Sequence, residues 1–239
     1  MIEKPKVEVC FTPNMFPLYA EDFEVVVVID VLRATSSICT AFHYGVDKII
    51  PVSTLDQAIE YKDKGYYVAA ERKGKIVSGF EFGNSPLSYT NDKLKDQTLV
   101  LTTTNGTKAI NMAKDIKQLL IGSFLNLDAI CNYLIELNKS VLILGSGWEN
   151  KFCLEDSICA GAISEQLLKT NKFESNNDST IAAKYLFLSA KSNYFGYLKA
   201  SSHRKRLKKL NLNEDIKYCL TPNQTDVVPV REDYYLKKL

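Results

Sequence analysis

The stretch VVVVIDVLRATSS, residues 25–37, carries a buried β-strand directly into a cluster of polar side chains. Four valines and an isoleucine form an unbroken apolar run, which is typical of a strand covered on both faces of its sheet. Asp30 ends this run, Arg33 follows three positions later, and the hydroxyl residues 35–37 come next. Since a carboxylate does nothing for the packing of a buried strand, the stretch predicts a ligand site beyond the strand end.

Similar apolar runs alternate with helical patterns along the rest of the chain. We predict strands at 6–11, 24–30, 48–52, 66–70, 97–103, 118–122 and 141–145. We predict helices at 35–44, 54–64, 105–114, 126–137, 155–170, 180–191 and 195–210, followed by short strands near 215–220 and 226–230. This alternation predicts a layered α/β fold with a largely parallel sheet. Because no boundary interrupts the pattern, we expect a single catalytic domain over 1–239, with two lobes as the alternative organisation.

Composition excludes several classes of protein. The 239 residues carry 30 Lys+Arg against 28 Asp+Glu, a formal net charge of +2. This balance argues against a nucleic-acid partner held by bulk charge. The six cysteines form no C-x-x-C pair and there are only two histidines, which disfavours a zinc cage and favours buried reduced thiols. With no secretory signal pattern and no membrane-length apolar run, we expect a cytoplasmic protein with no membrane partner.

Polar residues follow the carboxyl ends of four predicted strands. Ligands of open α/β sheets bind beyond such ends. The residues delivered there are Asp30 and Arg33, then Glu71 and Arg72, then Thr104, Asn105, Gly106 and Thr107, and finally Ser146, Gly147, Glu155 and Asp156. Carboxylates are hard ligands that suit Mg²⁺, and arginine grips phosphate, carboxylate or sulfonate through paired donors. The turn before residue 106 and the segment 33–37 each precede a predicted helix, whose first amides favour an anion.

Each motif also has a structural reading. Thr35 or Asn105 alone is an ordinary helix N-cap, and Glu155 with Asp156 complements a helix dipole. Their common placement at one sheet edge is what favours a site. The glycine-containing stretch 73–86 predicts an ordered loop over that site.

Familiar phosphate-handling signatures do not occur. There is no G-x-x-x-x-G-K-[ST] motif, and Leu32 stands where a haloacid-dehalogenase phosphatase would have its second aspartate. The segment GSGWEN, 145–150, begins like a dinucleotide fingerprint but ends in Asn150, so a nucleotide site is not predicted.

Five segments together resemble the 2-phosphosulfolactate phosphatase family, in that family's order. They are DVLRATSS (30–37), ERKGKIVSGFEFGNSP (71–86), TTNGTKA (103–109), GSFLN (122–126) and EDSICAGA (155–162). The similarity continues through SSHRKRL (201–207) to VVPV (227–230), so it covers nearly the whole chain. Three positions depart from the family pattern, namely Ala70 for glycine, Glu81 for aspartate and Arg204 for glycine.

The resemblance implies an Mg²⁺-dependent hydrolase that releases phosphate and 3-sulfolactate from 2-phospho-3-sulfolactate, a step that feeds coenzyme M synthesis in some organisms. It also implies a three-layer α/β/α fold with a largely parallel or mixed sheet, and a homodimer. The catalytic residues expected are Asp30, Arg33, Glu71 and Arg72. The expected metal ligands are Asp30, Glu71, Glu81, Glu155 and Asp156. The expected substrate-binding residues are Thr35, Ser36, Asn84, Ser85, Thr104, Asn105, Gly106, Thr107, His203 and Arg206.

Several roles stay open at this point. Asp30 either forms an aspartyl-phosphate or orients a metal-bound water. The basic run 203–209 reads as a solvated helix face, as a nucleic-acid contact, or, from the resemblance, as a source of His203 and Arg206 for the sulfonate or carboxylate. The small anionic phosphorylated substrate is alternatively another phosphorylated carboxylic acid, and a non-catalytic anion-binding protein is the rival class.

Overall fold

The computed structural model describes residues 3–239, which form ten strands and the helices around them. The strands are β1 (Val7–Cys10), β2 (Val25–Ile29), β3 (Lys48–Pro51), β4 (Tyr67–Arg72), β5 (Lys75–Ile76), β6 (Thr98–Thr102), β7 (Gln118–Gly122), β8 (Val141–Gly145), β9 (Pro229–Glu232) and β10 (Tyr235–Lys238). The helices are α1 (Ala34–His43), α2 (Leu55–Asp63), α3 (Gly106–Met112), α4 (Leu127–Leu137), α5 (Leu154–Lys169), α6 (Asp178–Ala190), α7 (Tyr194–Tyr197), α8 (Ser202–Lys209) and α9 (Asn213–Cys219).

All ten strands belong to one mixed sheet in the order β1-β8-β2-β7-β9-β10-β3-β6-β4-β5. β1, β8, β2 and β7 are parallel to one another, and so are β3, β6 and β4. The hairpin of β9 and β10 joins the two groups through antiparallel ladders, with Val230 opposite Leu120 and Leu236 opposite Ile49. The groups therefore run in opposite directions along the ladder.

The sheet nevertheless brings the carboxyl ends of both groups together. Adjacent strands are rotated by roughly 20–25°, and six steps separate β2 from β4, so the accumulated twist almost reverses the strand direction. Val28 of β2 and Leu101 of β6 belong to one core with Ile38 of α1 and Ile110 of α3. The sheet thus coils around these two helices, which begin directly at the two groups of strand ends.

The layers follow from the two faces of each strand. Val25 and Val27 of β2 face a core shared with α4, α5 and α6, whereas Val26 faces the core shared with α1 and α3. The α2 helix, which begins with a capping box between Thr54 and Gln57, covers the outer face of β3, β4 and β6. Helices on both faces give the three-layer α/β/α fold, and the sequence prediction of fold class is confirmed.

The C-terminal fifth of the chain differs from its prediction. The strand predicted at 215–220 is wrong, because Asn213–Cys219 is the helix α9, and Ile216, Cys219 and the C-cap residue Leu220 are buried at helical spacing. The helix predicted at 195–210 is two helices, α7 and α8, separated by a 3-10 turn. The last strand, β10, was not predicted although it lies inside the sheet.

Two further sequence expectations bear on the environment of the chain. All six cysteines are buried and unpaired, as a reduced protein requires. None of the helices within residues 3–239 has the length and apolar character needed to cross a bilayer.

Candidate active site

A cavity of about 210 Å³ lies where the carboxyl ends of β2, β4, β6 and β8 meet α8. It is lined by polar residues from every one of these segments and by three leucines. The lining residues are Asp30, Leu32, Arg33, Glu71, Lys73, Gly74, Asn84, Thr104, Asn105, Trp148, Glu149, His203, Arg206, Leu207 and Leu210. Residues from all four predicted strand ends therefore come together, although not all of those predicted.

Asp30 is a buried carboxylate that the fold holds in one position. Its backbone amide donates to Thr35 Oγ1 at 3.1 Å, and its Oδ1 accepts from the Ala34 amide at 3.3 Å. Gly106 leaves the room for this carboxylate, because a Cβ there would stand 2.7 Å from Asp30 Oδ2.

The charge of Asp30 is costly in this place. Burial raises the pKa of Asp30 to about 6, and the negative charges of Glu71 and Glu155 add to the rise. The charge of His203 and the Ala34 amide oppose it. A carboxylate poised in this way is characteristic of sites that bind cations or transfer protons.

Glu71 is fixed by the tight turn that joins β4 to β5. Lys73 and Gly74 have φ values of 55° and 83°, as the two central residues of a type I′ hairpin require. The turn lets the Gly74 amide donate to Glu71 Oε1 at 2.5 Å, and the Thr104 amide donates to Oε2 at 3.2 Å. Glu71 thereby links the ends of β4 and β6, and its carboxylate lines the cavity beside Asp30.

The two predicted catalytic arginines occupy different places. Arg33 is buried and lines the cavity, while its Nη1 donates to Asp215 Oδ2 at 2.5 Å and its Nη2 to the Gly74 carbonyl at 3.0 Å. Arg72 donates instead to the Glu71 carbonyl and to Thr102 Oγ1, and it is not among the cavity residues. Burial lowers the pKa of Arg72. Arg72 therefore braces the strand that carries Glu71.

Asp156 and Glu155, at the start of α5, are buried behind the cavity. Asp156 accepts from the Val31 amide at 2.9 Å and from the Gly147 amide at 3.1 Å, so it joins the ends of β2 and β8. Burial, together with the charges of Asp30 and Glu155, raises the pKa of Asp156 well above its usual range. Both oxygens of Asp156 are thus engaged by the backbone.

Glu155 binds His203 rather than facing the cavity. The distance from Glu155 Oε1 to His203 Nδ1 is 2.7 Å, Ser201 Oγ donates to Oε2 at 3.2 Å, and Cys153 Sγ lies 3.4 Å from Oε1. Burial pushes the pKa of Glu155 upward, but the hydrogen bond and charge of His203 outweigh it and leave the pKa below its ordinary value.

Trp148 and Arg206, which lies on α8, form one part of the cavity wall. The Arg206 guanidinium carbon lies 3.9 Å from the centre of the Trp148 ring, and that ring is 5.2 Å from the imidazole of His203. Nε and Nη2 of Arg206 are buried and have no hydrogen-bond partner within residues 3–239. The same holds for Oδ1 of Asn84. These are the polar atoms of the cavity wall that a ligand would satisfy.

Six further predicted site residues lie outside the cavity. Thr35, Ser36 and Thr107 are buried and bond to the backbone of their own turns, where they act as local braces. Ser85 lines a neighbouring groove. Glu81 is exposed and forms an ion pair with Lys93 on the surface. Gly106 does not line the cavity either, but its lack of a side chain leaves room for the Asp30 carboxylate.

None of the three positions that depart from the family pattern lines the cavity. Ala70 is buried within β4, where no ligand reaches it. Arg204 stacks on the ring of Phe195 at 3.7 Å on the far side of α8. Together with exposed Glu81, these positions leave the lining of the cavity unchanged.

The basic run 203–209 divides between two environments. His203, Arg204 and Leu207 are buried, while Lys205, Lys208 and Lys209 are exposed. One face of α8 thus contributes to the cavity, and the other is the solvated face predicted.

Sequence reasoning missed several residues that shape the site. Trp148 stood within the segment GSGWEN, and as the one tryptophan of the chain after a strand end it was a usable signal. Lys73 stood within the predicted loop 73–86 beside Gly74. Asp215, the partner of Arg33, gave no signal because its segment was predicted as a strand.

The donor atoms near the cavity fit two kinds of cation differently. Asp30 and Glu71 offer carboxylate oxygens to the same cavity, as Mg²⁺ prefers, and a cation there would relieve the cost of burying Asp30. Cys153, Glu155 and His203 place one donor atom each within 4.8 Å of one another. Since sulfur and imidazole donors suit transition metals, that cluster does not fit Mg²⁺.

Comparisons with known proteins agree on one family. The sequence model of a family described as 2-phosphosulpholactate phosphatase matches residues 10–234. The chain belongs to this family. A protein of Caldanaerobacter subterraneus is 39% identical over 208 residues, covering 85% of this chain and 86% of the relative. A Synechocystis protein is 38% identical over 230 residues, covering 94% and 95% respectively. Both relatives are named probable 2-phosphosulfolactate phosphatase.

Proposed function

We propose that the protein is a phosphoric monoester hydrolase that converts 2-phospho-3-sulfolactate to 3-sulfolactate and phosphate with the help of Mg²⁺. The observation that carries this proposal is the combination of groups in one cavity. Asp30 and Glu71 provide carboxylates for a cation and for phosphoryl chemistry, and Arg206 provides a buried guanidinium with free donors. A substrate with a phosphate ester and a second anionic group matches both. Family membership supports the same substrate.

The carboxylates account for the chemical step. Asp30 and Glu71 would hold Mg²⁺, which when bound neutralises charge on the phosphoryl oxygens. Asp30 has two roles that fit its place, attack on phosphorus or orientation of the attacking water. The Ala34 amide and Gly106 fix the direction of its oxygens in either case.

Arg206 accounts for recognition of the rest of the substrate. Its stacking on Trp148 holds the guanidinium plane, so the paired donors are ready for a planar or tetrahedral anion. A sulfonate or a carboxylate would satisfy the two unpartnered nitrogens. Arg33, whose charge is already balanced by Asp215, contributes less free charge to a ligand.

A second candidate is a phosphatase of the same fold that acts on another small phosphorylated carboxylic acid. Arg206 favours this candidate, because a guanidinium binds a carboxylate as readily as a sulfonate. A non-catalytic anion-binding protein fits less well, because buried Asp30 and Glu71 repel an anion unless a cation accompanies it.

Phosphate release separates these candidates. The purified protein is assayed with 2-phosphosulfolactate, phospholactate and phosphoglycolate, each with Mg²⁺ and with EDTA. We expect the largest kcat/KM for 2-phosphosulfolactate and loss of turnover in EDTA. A larger value for a substrate without the sulfonate would transfer the proposal to that substrate. Absence of phosphate release from every ester, with Mg²⁺ present, would contradict the enzyme altogether.

A further inference from the structure

The Glu155–His203 pair has the geometry of a proton donor held in place by a carboxylate. Glu155 is 1% exposed, and both of its oxygens have partners, Oε1 at 2.7 Å from His203 Nδ1 and Oε2 accepting from Ser201. Each oxygen is therefore committed within the protein. Because Glu155 does not line the cavity that holds Asp30 and Glu71, it is poorly placed to share a metal ion with them, which was its predicted role.

The hydrogen bond fixes which imidazole nitrogen is available to a ligand. An ionised Glu155 can only accept, so Nδ1 of His203 carries the proton that it shares with Glu155. The other nitrogen, Nε2, has no hydrogen-bond partner within the described chain, and His203 lines the cavity. The centre of the Trp148 ring lies 5.2 Å from the centre of the imidazole, and this neighbour limits rotation of the imidazole. Nε2 thus stands ready for a group in the cavity.

His203 lies in the same cavity as the two functional groups, the carboxylates and Arg206. Its imidazole and the carboxylates of Asp30 and Glu71 line this cavity together. Arg206 follows three residues later on α8, and Trp148 contacts both side chains. A substrate with its phosphate at Asp30 and its second anion at Arg206 would therefore present its bridging oxygen near His203.

We propose that His203 is the general acid that protonates the leaving alkoxide of the phosphate ester, and that Glu155 is the positioning residue that holds its imidazole in place. This inference rests on the proposed phosphatase function. In the step, the bond between phosphorus and the bridging oxygen breaks, and that oxygen takes the proton from His203 Nε2. Either an oxygen of Asp30 forms the new bond to phosphorus, and water later hydrolyses the aspartyl-phosphate, or water forms that bond and gives its proton to Asp30. The neutral imidazole then regains a proton from solvent, while the charge of Glu155 stabilises the imidazolium throughout.

The test compares leaving groups that differ in their need for a proton. 2-Phosphosulfolactate leaves as an alkoxide, which needs protonation, whereas its analogue with sulfur in place of the bridging oxygen leaves as a thiolate, which does not. In His203→Asn, the amide nitrogen replaces Nδ1 beside Glu155 and nothing replaces Nε2. We expect kcat of this variant to fall about 100-fold or more for the oxygen ester, the usual contribution of a general acid. For the sulfur analogue we expect kcat to change by less than about threefold on the same basis.

Two variants complete the test. Glu155→Gln keeps a side chain of the same shape without the charge and should show the same selective loss, smaller in size. His43→Asn is the matched control, because His43 is the other histidine and is exposed on α1, and it should behave like the wild type.

Three outcomes would overturn the inference. Equal losses on both esters in His203→Asn would mean that His203 only binds or supports the fold. Unchanged kcat with a raised KM would make it a binding residue. Zinc retained stoichiometrically by the wild type and lost in His203→Asn would assign Cys153, Glu155 and His203 to a metal site instead. A wild type that hydrolyses neither ester contradicts the proposed function itself, so the two failures are distinguishable.

Discussion

The cavity has two walls that are built in different ways. The sheet wall carries Asp30 and Glu71 at strand ends, where backbone amides and glycines fix their oxygens. The helix wall carries His203 and Arg206 on α8, where they are held by side chains, Glu155 and Trp148. The carboxylates of the sheet wall accept hydrogen bonds from neighbouring amides. The helix wall has guanidinium nitrogens with no hydrogen-bond partner in the described chain. The comparison indicates chemistry at the sheet wall and recognition with proton transfer at the helix wall.

Removing the charge of Asp30 should have the largest effect. Asp30→Asn keeps the acceptor for the Ala34 amide but removes the anion needed to bind a cation or to act on phosphorus. We expect kcat for 2-phosphosulfolactate to fall by about 10³-fold or more, as for removal of a central catalytic group. Steady-state phosphate release measures this, with Asp63→Asn as control, because Asp63 is exposed at the end of α2. A fall of less than tenfold would remove Asp30 from the chemical step.

Removing the guanidinium of Arg206 should raise KM with a smaller effect on kcat. Arg206→Met keeps an unbranched stem against Trp148 and deletes the donors. Hydrogen bonds to charged groups contribute about 1.5–3 kcal/mol, which corresponds to a rise in KM of about 10- to 150-fold. Lys205→Met, on the exposed face of the same helix, is the control. If KM of Arg206→Met stays within twofold of the wild type, the assignment of the second anion to the helix wall fails.

A side chain added at position 106, next to Asp30, should disturb the sheet wall alone. A Cβ at position 106 would lie 2.4 Å from the Ala34 Cβ and 2.7 Å from Asp30 Oδ2, so Gly106→Ala must displace one of them. Overpacking of this kind costs about 1–3 kcal/mol of stability. We expect a lower midpoint in urea unfolding and a lower kcat, with KM little changed. Lys108→Ala, exposed on the same helix, serves for comparison. An unchanged unfolding midpoint would show that the turn has more room than the structure gives it.

The last predicted effect concerns stability in the absence of substrate, which should rise on removal of the buried charge. Since the pKa of Asp30 rises from 3.8 to about 6 on folding, its contribution to stability is greatest below pH 4 and is lost as the pH rises through 6. In EDTA at pH 8, Asp30→Asn should therefore unfold at a higher urea concentration than the wild type. Its free energy of unfolding should be higher by up to about 3 kcal/mol, since each pKa unit corresponds to about 1.36 kcal/mol. The difference should shrink towards pH 4. Unfolding free energies that are equal at pH 8 would contradict the burial cost.

The sheet wall was predictable from sequence, and the reason lies in local patterns. β2 is an unbroken apolar run that ends at Asp30, and the turn at Gly106 is encoded by Thr103–Thr107. Thr35 and Ser36 were predicted as substrate-binding residues, but their hydroxyls bond to the backbone of Asp30 and Val31, which spacing alone does not reveal. Glu155 was predicted as a metal ligand and His203 as a substrate-binding residue, but the hydrogen bond between them, across 48 residues, was not predicted.

The helix wall depends on long-range packing that leaves little trace in sequence. Arg33 pairs with Asp215 across 182 residues, and the hairpin of β9 and β10 enters the middle of the sheet. Single-strand patterns near the C-terminus did not show this insertion, and the segment 215–220, most of which lies in α9, was predicted as a strand. His203 and Arg206 came only from the family resemblance. Mg²⁺ dependence, the homodimer and the cytoplasmic location stay predictions.

The division of work between the two walls is tested most directly by kcat and KM for 2-phosphosulfolactate, measured side by side for the wild type, Asp30→Asn and Arg206→Met. We predict that Asp30→Asn loses kcat, and that Arg206→Met loses affinity, seen as a raised KM, while kcat stays within about tenfold. The reverse pattern, with kcat lost in Arg206→Met and only KM raised in Asp30→Asn, would contradict the assignment of chemistry to the sheet wall and recognition to the helix wall.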